Sequence, residues 1–162
     1  MLLWVGGDGH CAGAYACNDF ACCEDDFPLW PRGRQPHPDN AKINWATTVA
    51  KTIRTQFVNE ADVNDTPELI CEKGYRFVET NIARNRIVVL IGFGDLSSNH
   101  FQKFSRYLKR KETRHIFFKT EDYYQFNIQN GFKPNEWNCF GADAHQAWAN
   151  VMVAQMKRLG FV

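Results

Sequence analysis

Arg86-Ile87-Val88-Val89-Leu90-Ile91-Gly92 is the stretch that decides the fold class. Its β-branched residues and nearly unbroken hydrophobicity describe a strand covered on both faces, the condition of a central strand in a parallel sheet. Upstream, Leu2-Leu3-Trp4-Val5 is a second short apolar run that stops at Gly6-Gly7, reading as a buried strand that ends in a tight turn. Shorter strands are expected around Phe57-Val58 and over His115-Ile116-Phe117-Phe118.

Helical patterns lie between these strands. Asp39 or Asn40 is placed to cap a helix carrying Ala46, Val49, Ala50, Ile53 and Phe57. Asp65, with Pro67 two residues later, marks the start of another, with Ile70, Phe77, Val78 and Ile82 as its apolar face and Gly74 as a weak point. Phe101 to Arg110 reads as a helix, and Glu121 to Asn130 as a short one ending at Asn130-Gly131. The last helix is expected from about Asp143, with Trp148, Val151, Met152, Gln155, Met156 and Leu159 in one stripe and Gly160 at its close. Strands alternating with helices predict parallel pairing through right-handed crossovers. The expected architecture is a flavodoxin-like three-layer α/β/α sandwich around a four- to five-stranded parallel sheet. With 162 residues, one domain covering 1–162 is expected.

Composition narrows the function classes. The net charge of +1 argues against a nucleic-acid binder that relies on a basic field. The densest basic stretch, Lys103, Arg106, Lys109, Arg110, Lys111 and Arg114, reads as the solvated face and end of a helix. No apolar run is long enough for a membrane span, and the first residues lack the form of a secretory signal, so synthesis in a cytoplasm is expected. Aromatics make up 14% of the chain, enough for thick apolar layers or for a contact face. Cys11, Cys17, Cys22 and Cys23 crowd together beside His10 but lack a clean C-x-x-C pair, so plain thiols are expected rather than a metal site. The segment from Glu24 to Asp39 carries four prolines and reads as a long loop, with Trp30, Arg32 and Arg34 as lid candidates.

In sheets of this kind ligands sit beyond the carboxyl ends of the strands. The turns there read Gly7-Asp8-Gly9-His10, Glu60-Ala61-Asp62-Val63-Asn64-Asp65 and Gly92-Phe93-Gly94-Asp95, followed near the end by Trp137-Asn138-Cys139-Phe140-Gly141-Ala142-Asp143-Ala144-His145. In order and spacing these blocks resemble the SGNH (GDSL-type) hydrolases, and Ala144-His145-Gln146-Ala147-Trp148-Ala149 resembles small phage-encoded members. The resemblance implies an ester-hydrolysing plan in which a serine attacks, a histidine takes its proton, an aspartate orients the histidine, and backbone amides with an asparagine hold the oxyanion. Gly9 stands at the serine position and Gly94 at the asparagine position. The last block aligns in two ways. In one, Asp143 and His145 survive as the catalytic pair. In the other, His145 belongs to the C-terminal helix and Cys139 takes the histidine's place. We favour the second, since His145 directly precedes the helical stripe.

At least two essential groups are lost in either register. The expectation is therefore a degenerate hydrolase without cofactor or metal, reused as a structural or binding module. Its partners would be other protein subunits, such as phage capsid or tail proteins, or copies of itself, with the virion as its location. Neither nucleic acid nor membrane is expected as a partner. Asp8, His10, Asn64 and Trp30 are the candidates for lining what remains of a pocket. Asp8 is expected to bond turn amides, and Asn64 and Asp65 to cap the following helix. The alternative is an active esterase or acetyl hydrolase using Cys11, or a water activated by Asp143 and His145.

Overall fold

The computed structural model describes residues 1–17 and 37–162. Four strands form one all-parallel sheet: β1 (Leu2–Gly7), β2 (Gln56–Asn59), β3 (Ile87–Phe93) and β4 (Arg114–Lys119), in the order β2-β1-β3-β4. The register aligns Leu3 with Phe57 and Val88, and Leu90 with Ile116. Among the described residues seven helices join them: α1 (Gly9–Ala12), α2 (Pro38–Ile43), α3 (Trp45–Thr52), α4 (Pro67–Asn81), α5 (Asn99–Arg110), α6 (Thr120–Gln129) and α7 (Ala142–Arg158).

The alternation of side chains along the strands divides the core into two layers. Leu3, Val5, Val88, Leu90 and Ile116 face one way and pack against α3, α6 and α7. Trp4, Ile87, Val89 and Ile91 face the other and pack against α4 and α5. This is the expected flavodoxin-like three-layer α/β/α sandwich, with four strands among the described residues. Gly74 is no defect in α4. A Cβ there would stand 2.5 Å from the Phe104 ring, so the missing side chain lets α4 and α5 approach closely.

The single helix read from Asp39 onward is two. The chain breaks at Asn44, whose extended ψ of 140° ends α2 while its side chain starts α3. Asn44 Oδ1 accepts the Ala46 N–H at 2.7 Å, and its Nδ2 donates to the Cys11 carbonyl at 2.7 Å. A fully buried asparagine thus caps one helix and ties it to the turn after β1. Phe57, which the sequence places both at the end of that helical face and in a short strand with Val58, lies in β2. Asn44→Ala should lower unfolding stability by about 2 kcal/mol in urea denaturation, since it removes a cap and a buried hydrogen bond together. A loss under about 0.5 kcal/mol would mean the junction rests on packing alone.

The start of α4 is also corrected. Thr66, not Asn64 or Asp65, caps it by accepting the Leu69 N–H. Asp65 is buried and turned instead to Lys73, whose Nζ donates to its carboxylate at 2.6 Å and to the Glu60 carbonyl at 3.1 Å. None of the described helices is long and apolar enough to cross a membrane.

Candidate functional site

The strand order reverses between β1 and β3, so their carboxyl ends frame the crevice where such sheets bind ligands. Gly7 and Asp8 stand at its centre. The Asp8 N–H donates to the Gly92 carbonyl at 3.1 Å, which seals the β1–β3 seam one residue past the strand. Asp8 Oδ1 accepts the His10 N–H at 3.1 Å and caps the single turn of α1. Its other oxygen accepts the Thr120 hydroxyl at the start of α6. Asp8 thus bonds a turn amide and also clamps α6 to the rim.

The residues beside it are closed in. Cys11 is 1% exposed, donates its thiol weakly to the Gly92 carbonyl at 3.4 Å, and is held well above the usual thiol range by burial, with the Asp8 charge adding to the effect. Its carbonyl accepts from Asn44 and from Asn59 Nδ2. The His10 ring lies 5.3 Å from that of Tyr123, and burial lowers its basicity against the opposing pull of Asp8.

Gly9 faces the Val63 side chain: a Cβ added there would approach Val63 Cγ1 at 2.9 Å and Ala14 Cβ at 3.5 Å. Asn64, next to Val63, is exposed on the same rim, and its N–H donates to Asp62 Oδ1. Gly94 is exposed with nothing within 4 Å of an added Cβ, and Asp95 beside it accepts the Ser97 N–H at 2.9 Å. The position of the expected oxyanion asparagine is thus open to solvent.

The last block splits. His145 is 2% exposed in the first turn of α7, and its Nδ1 accepts the Trp45 N–H at 3.1 Å. Burial and, next, the nearby His10 lower it to about 4, against a hydrogen bond to the Phe140 carbonyl. Its ring is a neutral structural acceptor that starts α3. Asp143, two residues earlier, is exposed and borders a cleft of about 540 Å³ with Lys42, Lys51 and Gln146. Residues two apart on a helix do not face each other, and Asp143 and His145 share no hydrogen bond or ion pair. Cys139 lies nearer the centre. Burial raises its thiol to about 11, and the charge of Asp8 adds to the rise.

Sequence reasoning missed Tyr123 and Thr120. Tyr123 is 1% exposed and stands between the His10 and His145 rings, 5.3 and 6.0 Å away. Its hydroxyl is raised by burial. The largely polar stretch around Tyr123, Thr120-Glu121-Asp122-Tyr123-Tyr124-Gln125, carries no mark of this central place. Trp30, Cys22, Cys23, Arg32 and Arg34 lie outside the described residues. Cys17 is exposed, and its N–H donates to Asn40 Oδ1. Among the described residues, no group of three or more His, Cys, Asp or Glu side chains is placed to hold a metal ion.

Chemically, this centre joins one structural carboxylate to two neutral imidazoles and two thiols that burial keeps protonated. A nucleophile hydrogen-bonded to a base, the minimum for acyl transfer, is not formed there among the described residues. The chain matches no family model, no curated protein and no solved structure.

Proposed function

We propose that the chain is a catalytically silent relative of the SGNH hydrolases that serves as a structural or binding module, with a tailed-phage particle as its setting. One observation carries the reading of silence: His145, the imidazole the resemblance offers as base, is buried and already accepts the Trp45 N–H. Gly9 at the serine position and Gly94 at the asparagine position support it. Losing members of such a triad costs several powers of ten in rate. The phage setting rests on the resemblance of residues 144–149 alone. The competing reading, a thiol hydrolase, needs an accessible thiolate at Cys11, and burial holds that group protonated.

The test is hydrolysis of short aryl esters by the protein, by Cys11→Ala and by Gly9→Ser. All three should stay at background. In Gly9→Ser the new side chain meets Val63, and the imidazole that the resemblance offers as base already accepts the Trp45 N–H. Turnover by the unaltered protein that Cys11→Ala abolishes would establish the thiol enzyme. A gain of about 100-fold or more in Gly9→Ser would mean that a general base is still aimed at position 9. The structural role predicts stoichiometric presence in purified particles, read by mass spectrometry.

A further inference from the structure

β4 ends the sheet, pairing with β3 and with no other strand among the described residues. Its outer backbone N–H and C=O groups therefore form a row that sheet pairing does not use. Sheet edges are ordinarily blunted by proline, bulges or inward charges. Here the sequence Arg114-His115-Ile116-Phe117-Phe118-Lys119 has charged residues only at its ends, apart from the neutral-leaning His115, and both phenylalanines are half-buried, one on each face. Phe117 also walls a cleft of about 310 Å³ against α5, with Leu96 and Phe101. Its rim carries Ser105, Arg106 and Lys109. Ser105 is satisfied locally, since the Thr113 carbonyl takes the Nδ1–H of His115 and leaves Nε2 to accept the serine hydroxyl at 3.0 Å. Arg106 and Lys109 make no ion pair among the described residues, and no carboxylate lines the cleft.

Charge decides what fits. A second copy pairing antiparallel through β4 would set Arg114 against Lys119 and bring two basic α5 helices together, and like charges across strands destabilise pairing. An extended segment with acidic side chains at every second position satisfies the backbone row and both free cations at once. We infer that the β4 edge and the α5 cleft dock an acidic, extended segment of a partner protein, added as a further strand. This does not depend on whether the centre at the end of β1 is silent.

The test uses the whole chain and a short fluorescent Glu-Val repeat peptide. Binding should weaken about tenfold or more in Arg106→Glu/Lys109→Glu, two exposed changes that leave the core intact, and should weaken with salt. Amide exchange over residues 114–119 should slow in the complex. The inference is overturned by no binding at about 1 mM peptide, by equal binding of a Lys-Val peptide, or by unchanged exchange in β4. Tighter binding of a single-stranded oligonucleotide would make the surface a phosphate site instead, and a dimer with β4 protected would make the partner a second copy.

Discussion

Gly7→Ala is expected to cost about 4 kcal/mol or more, a large share of what holds a domain of this size folded. Gly7 ends β1 at φ +137°, a region that L-residues rarely adopt. An added Cβ would lie 2.1 Å from the Gly92 carbonyl oxygen and 2.9 Å from Cys11 Sγ. The first of these is backbone on the neighbouring central strand, so no rotamer change relieves it. Relief requires β1 and β3 to part, which breaks the Asp8 N–H bond to Gly92 and loosens the packing of Val5 and Leu90 beneath. For a domain of this size each kcal/mol moves Tm by roughly 2–4 °C, so the drop should be about 8–16 °C. Gly94→Ala is the control. Its Cβ enters open space, and its effect should stay within about 0.5 kcal/mol. Thermal unfolding of both variants checks this, and a Gly7→Ala protein within about 1 kcal/mol of the parent would show that the seam can open without loss.

The same seam shows what a sequence reader can and cannot see. β3 was legible because burial on both faces leaves a continuous β-branched run, and that signature is local. The helices were legible through one-sided apolar spacing, though α2 and α3 merged into one. The break between them depends on Asn44 reaching Cys11, 33 residues away, and no local pattern encodes that partner. Asp65 misled for a similar reason. It is a good cap by type, yet Lys73 on the next turns of α4 takes its carboxylate, and Thr66 caps instead. At the candidate site, the turns after β1, β2 and β3 do gather at one end of the sheet. What fills the space between them comes from far along the chain: Thr120 on Asp8, and Tyr123 between two histidines. Their separation of more than 100 residues from β1 explains why the sequence could name the rim without showing that it is closed.

His145 carries the second large effect, a loss of stability in mild acid. The unfolded chain titrates this ring near its ordinary value of 6.5, while burial first, and the nearby His10 next, hold it at about 4 in the folded protein. A lowered folded value means the unfolded state takes the proton first. Stability is therefore full above about pH 6.5, falls as the pH drops through the window, and levels off below about 4, for a total of roughly 3 kcal/mol from this group. The structural reason is specific. Protonation turns Nδ1 from the acceptor of the Trp45 N–H into a second donor facing it, at the buried junction of α3 and α7. His10 and His115 are also lowered, chiefly by burial, and add loss of the same sign. Urea unfolding at several values between pH 7.5 and 4 should show this slope. His145→Asn keeps an acceptor near the Nδ1 position and cannot titrate, so it should flatten the largest share of the slope whatever it does to stability at neutral pH. An unchanged slope in that variant would mean that the acid sensitivity lies in other groups and that His145 tolerates its charge.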